Sequence, residues 1–405
     1  MHRLHAIDPI AVAAASASKI QPSNATRRHK RLRSNGFFGL RLVLACAAAI
    51  VCAAHAAAQK GFLETIHRHT TLASTVPTNG DQNPYAIAVA PVSAGAIKQG
   101  DVLVDNFNDR NNLQGLGTTI VDINPSTMTM RVFAMIPRHL PQCPGGIGLT
   151  TAMTMLKSGW VIVGSLPSRD GTTTTKGQGC LLVLDAKGKL AKVFADPNIN
   201  GPWGNMAVVD TGARATLFIS NTGFGVGAPN AAGPVVNKAT VLRLELSIPA
   251  GKPPAITSET VIASGFGEQP DKDVFVIGPT GLALGNDGTL YVSDALKNRI
   301  AAIADATTRA SSAGTGRDVT KDGLLKRPLA MTMASNGHLL VTNGLSGQVV
   351  EIDPKSGTQI YARWIDPNKA QTPPGSGDLF GIAMTPAGNG FYYVEDEVNT
   401  LVLAR

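Results

Sequence analysis

The stretch from Gly278 to Ile303, GPTGLALGNDGTLYVSDALKNRIAAI, limits the fold more tightly than any other part of the chain. Leu282 to Leu284 is a short apolar run, and Asn286-Asp287-Gly288 follows it. Asn, Asp and Gly tolerate the positive φ angles that tight hairpins need. Leu290 to Val292 reads as the returning strand, rich in β-forming side chains. Asp294 to Asn298 predicts a second turn, and Ile300 to Ile303 a third strand. Gly281 falls where the first strand passes closest to a neighbour, an approach that a missing Cβ permits.

The pattern recurs. First strands begin near Ala86, Ala152, Asn205, Gly281, Ala330 and Gly381. Second strands read DVLVDN, WVIVGS, LFISN, LYVSD, LLVTN and FYYVED; third strands read TTIVDINP, CLLVLD, TVLRLEL, RIAAIAD, QVVEIDP and NTLVLAR. Repeats at periods of ~20–50 residues signal propellers or solenoids, and four-stranded blades are the usual unit of a ring. Fourth strands are expected at Met130–Ile136, Leu190–Phe194, Thr260–Ser264 and Ile360–Ile365, with only a faint one in the fourth copy. The sixth copy reaches Arg405 directly after its third strand. A missing fourth strand would leave an unpaired edge, and Thr70–Val76 is the segment placed to fill it. The expected architecture is therefore all-β. It is a six-bladed propeller of four-stranded blades over residues 59–405, one domain, with the N-terminal segment supplying the last strand of the C-terminal blade.

The residues Gly278-Pro279, Gly281-Leu-Ala283, Asp287-Gly288, Tyr291-Val292, Asp294 and Asn298-Arg299 resemble the NHL repeat, a propeller blade unit. The segment SAGTGRDVTKDGLLKRPLAM, ending at Met331, is similar to the glycine-rich connector that this family places before its next Pro-containing strand. The resemblance covers residues 277–360 and is loose elsewhere.

Residues 1–58 read as an address rather than as fold. Six basic residues from Arg27 to Arg41 precede an apolar run from Leu42 to Ala54, which is too short for a bilayer that takes ~20 residues. With Ala56-Ala57-Ala58 behind it, this is the pattern of a secretory signal peptide. The expected location is periplasmic or secreted, with no transmembrane helix in the mature chain. Cys46 could serve as a lipoprotein cysteine, but Leu44 two places earlier suits that poorly. The leader carries eight of the 36 Lys and Arg and one of the 28 Asp and Glu, so most of the net charge of +8 leaves with it. The basic balance is then no argument for nucleic acid, and a monomer without nucleic-acid partners is expected.

Cys143 and Cys180 stay behind, in an oxidising compartment. One precedes the first strand of the second copy and the other opens its third strand, so in an up-down-up-down blade both lie at the same end. We expect a Cys143–Cys180 disulfide, with ~3–4 kcal/mol from loop closure.

The first three copies carry long inserts after the second strand, at 107–118, 166–179 and 222–238. Phe107, Arg110, Arg169, Lys176 and Phe224 lie among their Gly, Asn and Thr residues. Loops on a rigid scaffold usually carry binding, so the insert-bearing rim is the expected functional face. Its ligand is expected to be a small molecule, a glycan or a protein.

Second strands end at Asn106, Ser165, Asn221, Asp294, Asn343 and Asp396. A ring of such oxygens could hold Ca2+ or another divalent metal, and Asn106, Asn221, Asp294, Asn343 and Asp396 are the expected ligand-binding or metal positions. The competing reading, and the stronger one, is that these residues bind turn amides. The gluconolactonase and regucalcin family is similar in architecture, and it holds its metal through acidic or Asn side chains just before the glycine of several first strands. The matching positions here are Tyr85, Thr151, Trp203 or Gly204, Thr280, Leu329 and Phe380, with Asn205 one place away. None of the matching positions supplies such a ligand. Streptogramin lyases, also propellers, use histidines; here only His67, His69, His139 and His338 follow the leader, and of these only His139, beside Arg138, falls at the insert-bearing rim. Trp160 and Trp203 read as blade packing, and Trp364 as a fourth-strand core residue. No triad, zinc set or phosphate loop is legible. The sequence favours a non-enzymatic binding scaffold over the alternative, a metal-dependent hydrolase or lyase with a rearranged rim site.

Overall fold

The computed structural model describes residues 61–223, 226 and 234–405. The leader, Cys46 and Phe224 lie outside the described residues. Blade 1 consists of Gln82–Val89, Val102–Asn108, Thr119–Asn124 and Thr129–Met135. Blade 2 consists of Leu149–Met155, Val161–Ser165, Cys180–Leu184 and Leu190–Phe194. Blade 4 is Pro279–Leu284, Leu290–Asp294, Arg299–Ile303 and Arg317–Lys321, and blade 5 is Pro328–Met333, Leu339–Asn343, Gln348–Ile352 and Gln359–Trp364. Every pairing within a blade is antiparallel between consecutive strands.

Blade 6 closes the ring as the repeat count requires. Leu379–Met384, Phe391–Glu395 and Thr400–Ala404 are completed by His69–Ser74, whose register runs from His69 opposite Ala404 to Ser74 opposite Thr400. The segment before that strand is held in turn by blade 5. The buried Glu351 carboxylate accepts the Phe62 N–H at 2.8 Å and the Leu63 N–H at 2.9 Å, while His338 Nδ1 lies 2.6 Å from it. Phe62, Leu63 and Ile66 fill the seam between blades 5 and 6. The N–H donors and His338 hold the Glu351 carboxyl below its ordinary pKa even though its burial pushes the other way.

Six apolar clusters fill the six blade interfaces, as expected for a ring whose core is shared among its seams. The close approach at Gly281 is real: a Cβ there would sit 2.3 Å from the Leu329 carbonyl oxygen of the next blade. Cys143 and Cys180 are bonded, with Cα atoms 5.9 Å apart.

Three features depart from the sequence reading. The connector before Met331 contains the fourth strand of blade 4, Arg317–Lys321. Blade 3 has Ala207–Asp210, Arg214–Asn221 and Val236–Ser247, but its fourth strand runs over Ala255–Asp271 and turns into a fifth, Phe275–Ile277. Trp364 is 44 % exposed rather than core, because the outermost strand of a blade has no further strand to cover it. Among the described residues, no helix is long and apolar enough to cross a membrane.

Candidate functional site

The insert-bearing rim has two contrasting parts, one on the axis and one at the edge of blade 1.

On the axis, the extended hairpin of blade 3 folds inward. Val274, Phe275, Val276 and Ile277 are buried together with Tyr85, Phe107, Trp203, Leu329 and Phe380. Tyr85 stacks on Phe380 at 4.0 Å and on Phe107 at 4.6 Å between ring centroids; Trp203 meets Phe107 edge-on at 5.3 Å, and Phe107 meets Phe275 edge-on at 5.5 Å. Such offset and edge-to-face pairs add to the burial of large rings. Phe275 sits at φ +67°, with the Val276 N–H bonded to the Val274 carbonyl at 2.8 Å. A bulky side chain in this left-handed turn is strained, and the aromatic cage around it holds it there. The hairpin tip is fixed from both sides. Gln114 donates to the Asp273 carbonyl at 3.0 Å, and Arg327 pairs with Asp271 at 3.2 Å.

The family comparison made from sequence can thus be tested in space. Tyr85, Thr151, Trp203, Thr280, Leu329 and Phe380 are all buried, and the aromatic ones are the floor of the plug. Asn205, the nearest amide, is spent on backbone: Nδ2 donates to Leu282 and Met331 carbonyls at 2.8 and 3.1 Å, and Oδ1 accepts their N–H groups, both at 3.2 Å. Trp203, read as blade packing, belongs to the plug instead.

The residues at the ends of the second strands bind local backbone and side chains. Asn106 Nδ2 donates to the Thr75 carbonyl at 2.8 Å, tying blade 1 to the closing segment. Asn221 Nδ2 donates to the Asn198 carbonyl at 2.9 Å. Asp294 pairs with Arg299 at 2.9 Å. Asn343 accepts the Lys326 N–H at 2.9 Å and donates to the Leu324 carbonyl at 3.0 Å. Asp396 is pushed well above the ordinary carboxylate range by burial and by the neighbouring Asp378 charge, with a bond from Asn83 opposing. Asp378 itself is raised to about 7, first by burial and then by its contact with Asp366. Among the described residues, no three His, Cys, Asp or Glu side chains are grouped to hold a metal ion, so the donor set gives a divalent cation no acidic cage.

At the edge of blade 1 the rim is open. A cleft of about 670 Å3 lies between the loop entering the blade, the first insert and the crossover to blade 2. Its size falls within the ~300–1,000 Å3 typical of ligand sites. Asp81 is buried, and its Oδ2 accepts the Thr118 N–H at 2.9 Å, the Thr118 hydroxyl at 3.1 Å and the Thr119 hydroxyl. Asp109 Oδ1 accepts the N–H groups of Asn111 and Leu113 at 2.9 and 3.2 Å, which shapes the insert. Arg110 and Arg138 stand at the wall, with Asn79 and Asn111 beside them. The seam between the two loops needs Gly80: it sits at φ +83°, and a Cβ there would lie 2.8 Å from Arg110 Cβ.

Sequence reasoning placed the insert 107–118 and the crossover at Arg138 on this rim, but it did not single out Asn79, Asp81, Asp109, Asn111, Thr118 or Met135. The available signal was the polar turn chemistry of Asn79-Gly80-Asp81 and of Asn108 to Asn112. His139 is exposed beside the cleft. His338 is at the opposite rim, engaged by Glu351.

No protein-family model matches this sequence, and no curated protein matches it. Solved structures share the architecture. A gluconolactonase from Xanthomonas campestris is 15% identical, with a TM-score of 0.48, over 83% of this chain and 88% of that one. A PQQ-bound aldose sugar dehydrogenase from Streptomyces coelicolor is 15% identical, with a TM-score of 0.49, over 83% and 97%. A virginiamycin B lyase from Staphylococcus aureus is 16% identical, with a TM-score of 0.45, over 82% and 84%. Likeness at this level carries nothing about chemistry; the six-bladed fold is read from the strands themselves.

Proposed function

We propose that this protein is an exported binding scaffold that takes a small molecule or glycan in the rim cleft of blade 1. The observation that carries the reading is the contrast along one rim. The axial end is filled by packed aromatic side chains, whereas the cleft is open and lined by polar groups already fixed by the fold. Such preorganisation lowers the cost of binding. Export is supported by the basic and apolar leader and by the disulfide, since disulfides persist in oxidising compartments. We read the blades as diverged NHL-type units.

The alternative, metal-dependent hydrolysis or elimination, is separated by a thermal melt. After EDTA treatment, addition of Ca2+, Mg2+, Mn2+ or Zn2+ should leave Tm unchanged. A metal at 100 times its Kd would add about 2.7 kcal/mol, and a specific, EDTA-reversible rise would overturn the scaffold reading.

A further inference from the structure

We propose that the rim cleft recognises a sugar acid, meaning a hydroxylated ring that carries one carboxylate, as a uronic acid does. This rests on the cleft being the ligand site and goes on to name the ligand's chemistry.

Three sets of groups meet in the cleft. The first is cationic. Arg110 is exposed, and its guanidinium has no ion-pair partner among the described residues. Arg138 lies 3.6 Å from Asp109 Oδ2, with a side chain 48% exposed. That exceeds the ~2.7–2.9 Å of a charge-assisted bond, so its fork is available as well. Two planar guanidinium forks on one wall suit a carboxylate.

The second set suits hydroxyls. Asp81 lines the cleft and gathers the Thr118 N–H and the Thr118 and Thr119 hydroxyls on Oδ2; among the described residues Oδ1 accepts no bond. This makes Asp81 an anchored carboxylate in the cleft wall. Asn79, Asn111 and Thr118 add neutral donors and acceptors, so that neighbouring ring hydroxyls can both give and receive.

The third set is apolar. Met135 is 54% exposed, and with Pro137 it gives the cleft a non-polar side against which the C–H face of a ring can lie. Two Arg and two Asp leave the empty cleft balanced in charge, which suits a monoanion better than a dianionic phosphate. Asp109 Oδ1 already bonds within its own loop, and its Oδ2 lies toward Asn111 and Arg138.

The test is calorimetric titration of the purified protein with galacturonate and glucuronate, and with galactose, glucose, inorganic phosphate and glycylglycine as comparison probes. A sugar acid should bind at millimolar concentration or better, at least tenfold more tightly than its neutral parent. Arg110→Ala and Arg138→Ala should each weaken it at least tenfold with an unchanged melt, since both side chains are exposed. Absence of sugar-acid binding at millimolar concentration overturns the proposal. Equal binding of neutral and acidic sugars overturns the carboxylate assignment and leaves the cleft as the site. Tighter binding of phosphate or glycylglycine, lost in Arg110→Ala, overturns the sugar assignment alone. Binding that ignores both Arg variants places the ligand elsewhere and overturns the scaffold reading of the cleft itself.

Discussion

The axial plug and the blade 1 cleft lie on one rim, yet they have opposite chemistry. At the axis, the starts of first strands carry Tyr85, Leu329 and Phe380, Trp203 lies just before another, and the hairpin of blade 3 brings Phe275 down onto them. At the edge, the connections into and out of blade 1 carry Asp81, Asp109, Arg110 and Arg138. On the proposed function, the difference is one way for a propeller to move its binding face off the axis. Apolar rings on the axis add a core where the inner strands converge, and the polar work passes to loops that no longer need to enclose the channel.

This contrast can be broken most severely at the ring itself. Deleting residues 59–78 removes the closing strand, the Glu351 anchor and the Thr75 carbonyl that Asn106 binds. Soluble, protease-resistant protein should be lost, as judged by limited proteolysis and gel filtration. A truncated form that melts like the full chain would contradict closure by the N-terminal segment.

The plug is next in size. Trp203→Ala and Phe275→Ala should each cost about 3–5 kcal/mol in urea unfolding, as expected for a large buried ring, while cleft affinity stays constant. Phe275→Ala keeps a Cβ and so leaves the strain of its turn in place, and no relief offsets the lost ring. A loss below ~1 kcal/mol would mean that the hairpin only rests on the axis.

A third prediction concerns the polar residues of blade 6, between those extremes. Asp378 has a folded pKa of about 7, against an ordinary value of ~3.9. The folded state holds the proton more tightly. Its contribution is therefore complete below the unfolded pKa, declines as pH rises between the two values, and is lost above about 7. Asp378→Asn should raise Tm relative to the native chain at pH 8 and not at pH 4, by calorimetry. A gain of equal size at both pH values would show that Asp378 is ionised in the fold throughout. The smallest stability effect belongs to the cleft: Arg110→Ala should change unfolding by no more than ~0.5 kcal/mol, with its consequence confined to binding.

The legible part of this molecule is the part governed by short-range rules. The turn at Asn286-Asp287-Gly288, the closing strand and the Cys143–Cys180 pair all follow from local spacing and from counting strands. The positions of Tyr85, Trp203, Leu329 and Phe380 were also legible, but as places lacking acidic ligands. Their joint packing was hidden because Phe275, which completes it, comes from outside the repeat. The continuous apolar run Val274 to Ile277, between Asp273 and Gly278, was its one sequence mark. The polar residues ending the second strands show the opposite problem. Asn106, Asn221, Asp294 and Asn343 look alike as ligands or as turn anchors, and only their bonding partners separate the two. The cleft was least legible, since its residues run from Asn79 to Arg138 and meet only when the four strands of blade 1 pair.

Hydrogen–deuterium exchange of the protein with and without galacturonate tests the central claim most directly, because it reads the axis and the edge in one experiment. Ligand should slow exchange at residues 79–81, 109–113 and 135–138 and leave 203–206 and 266–278 unchanged. Protection confined to the plug hairpin and the Trp203 region would place binding on the axis and contradict the account.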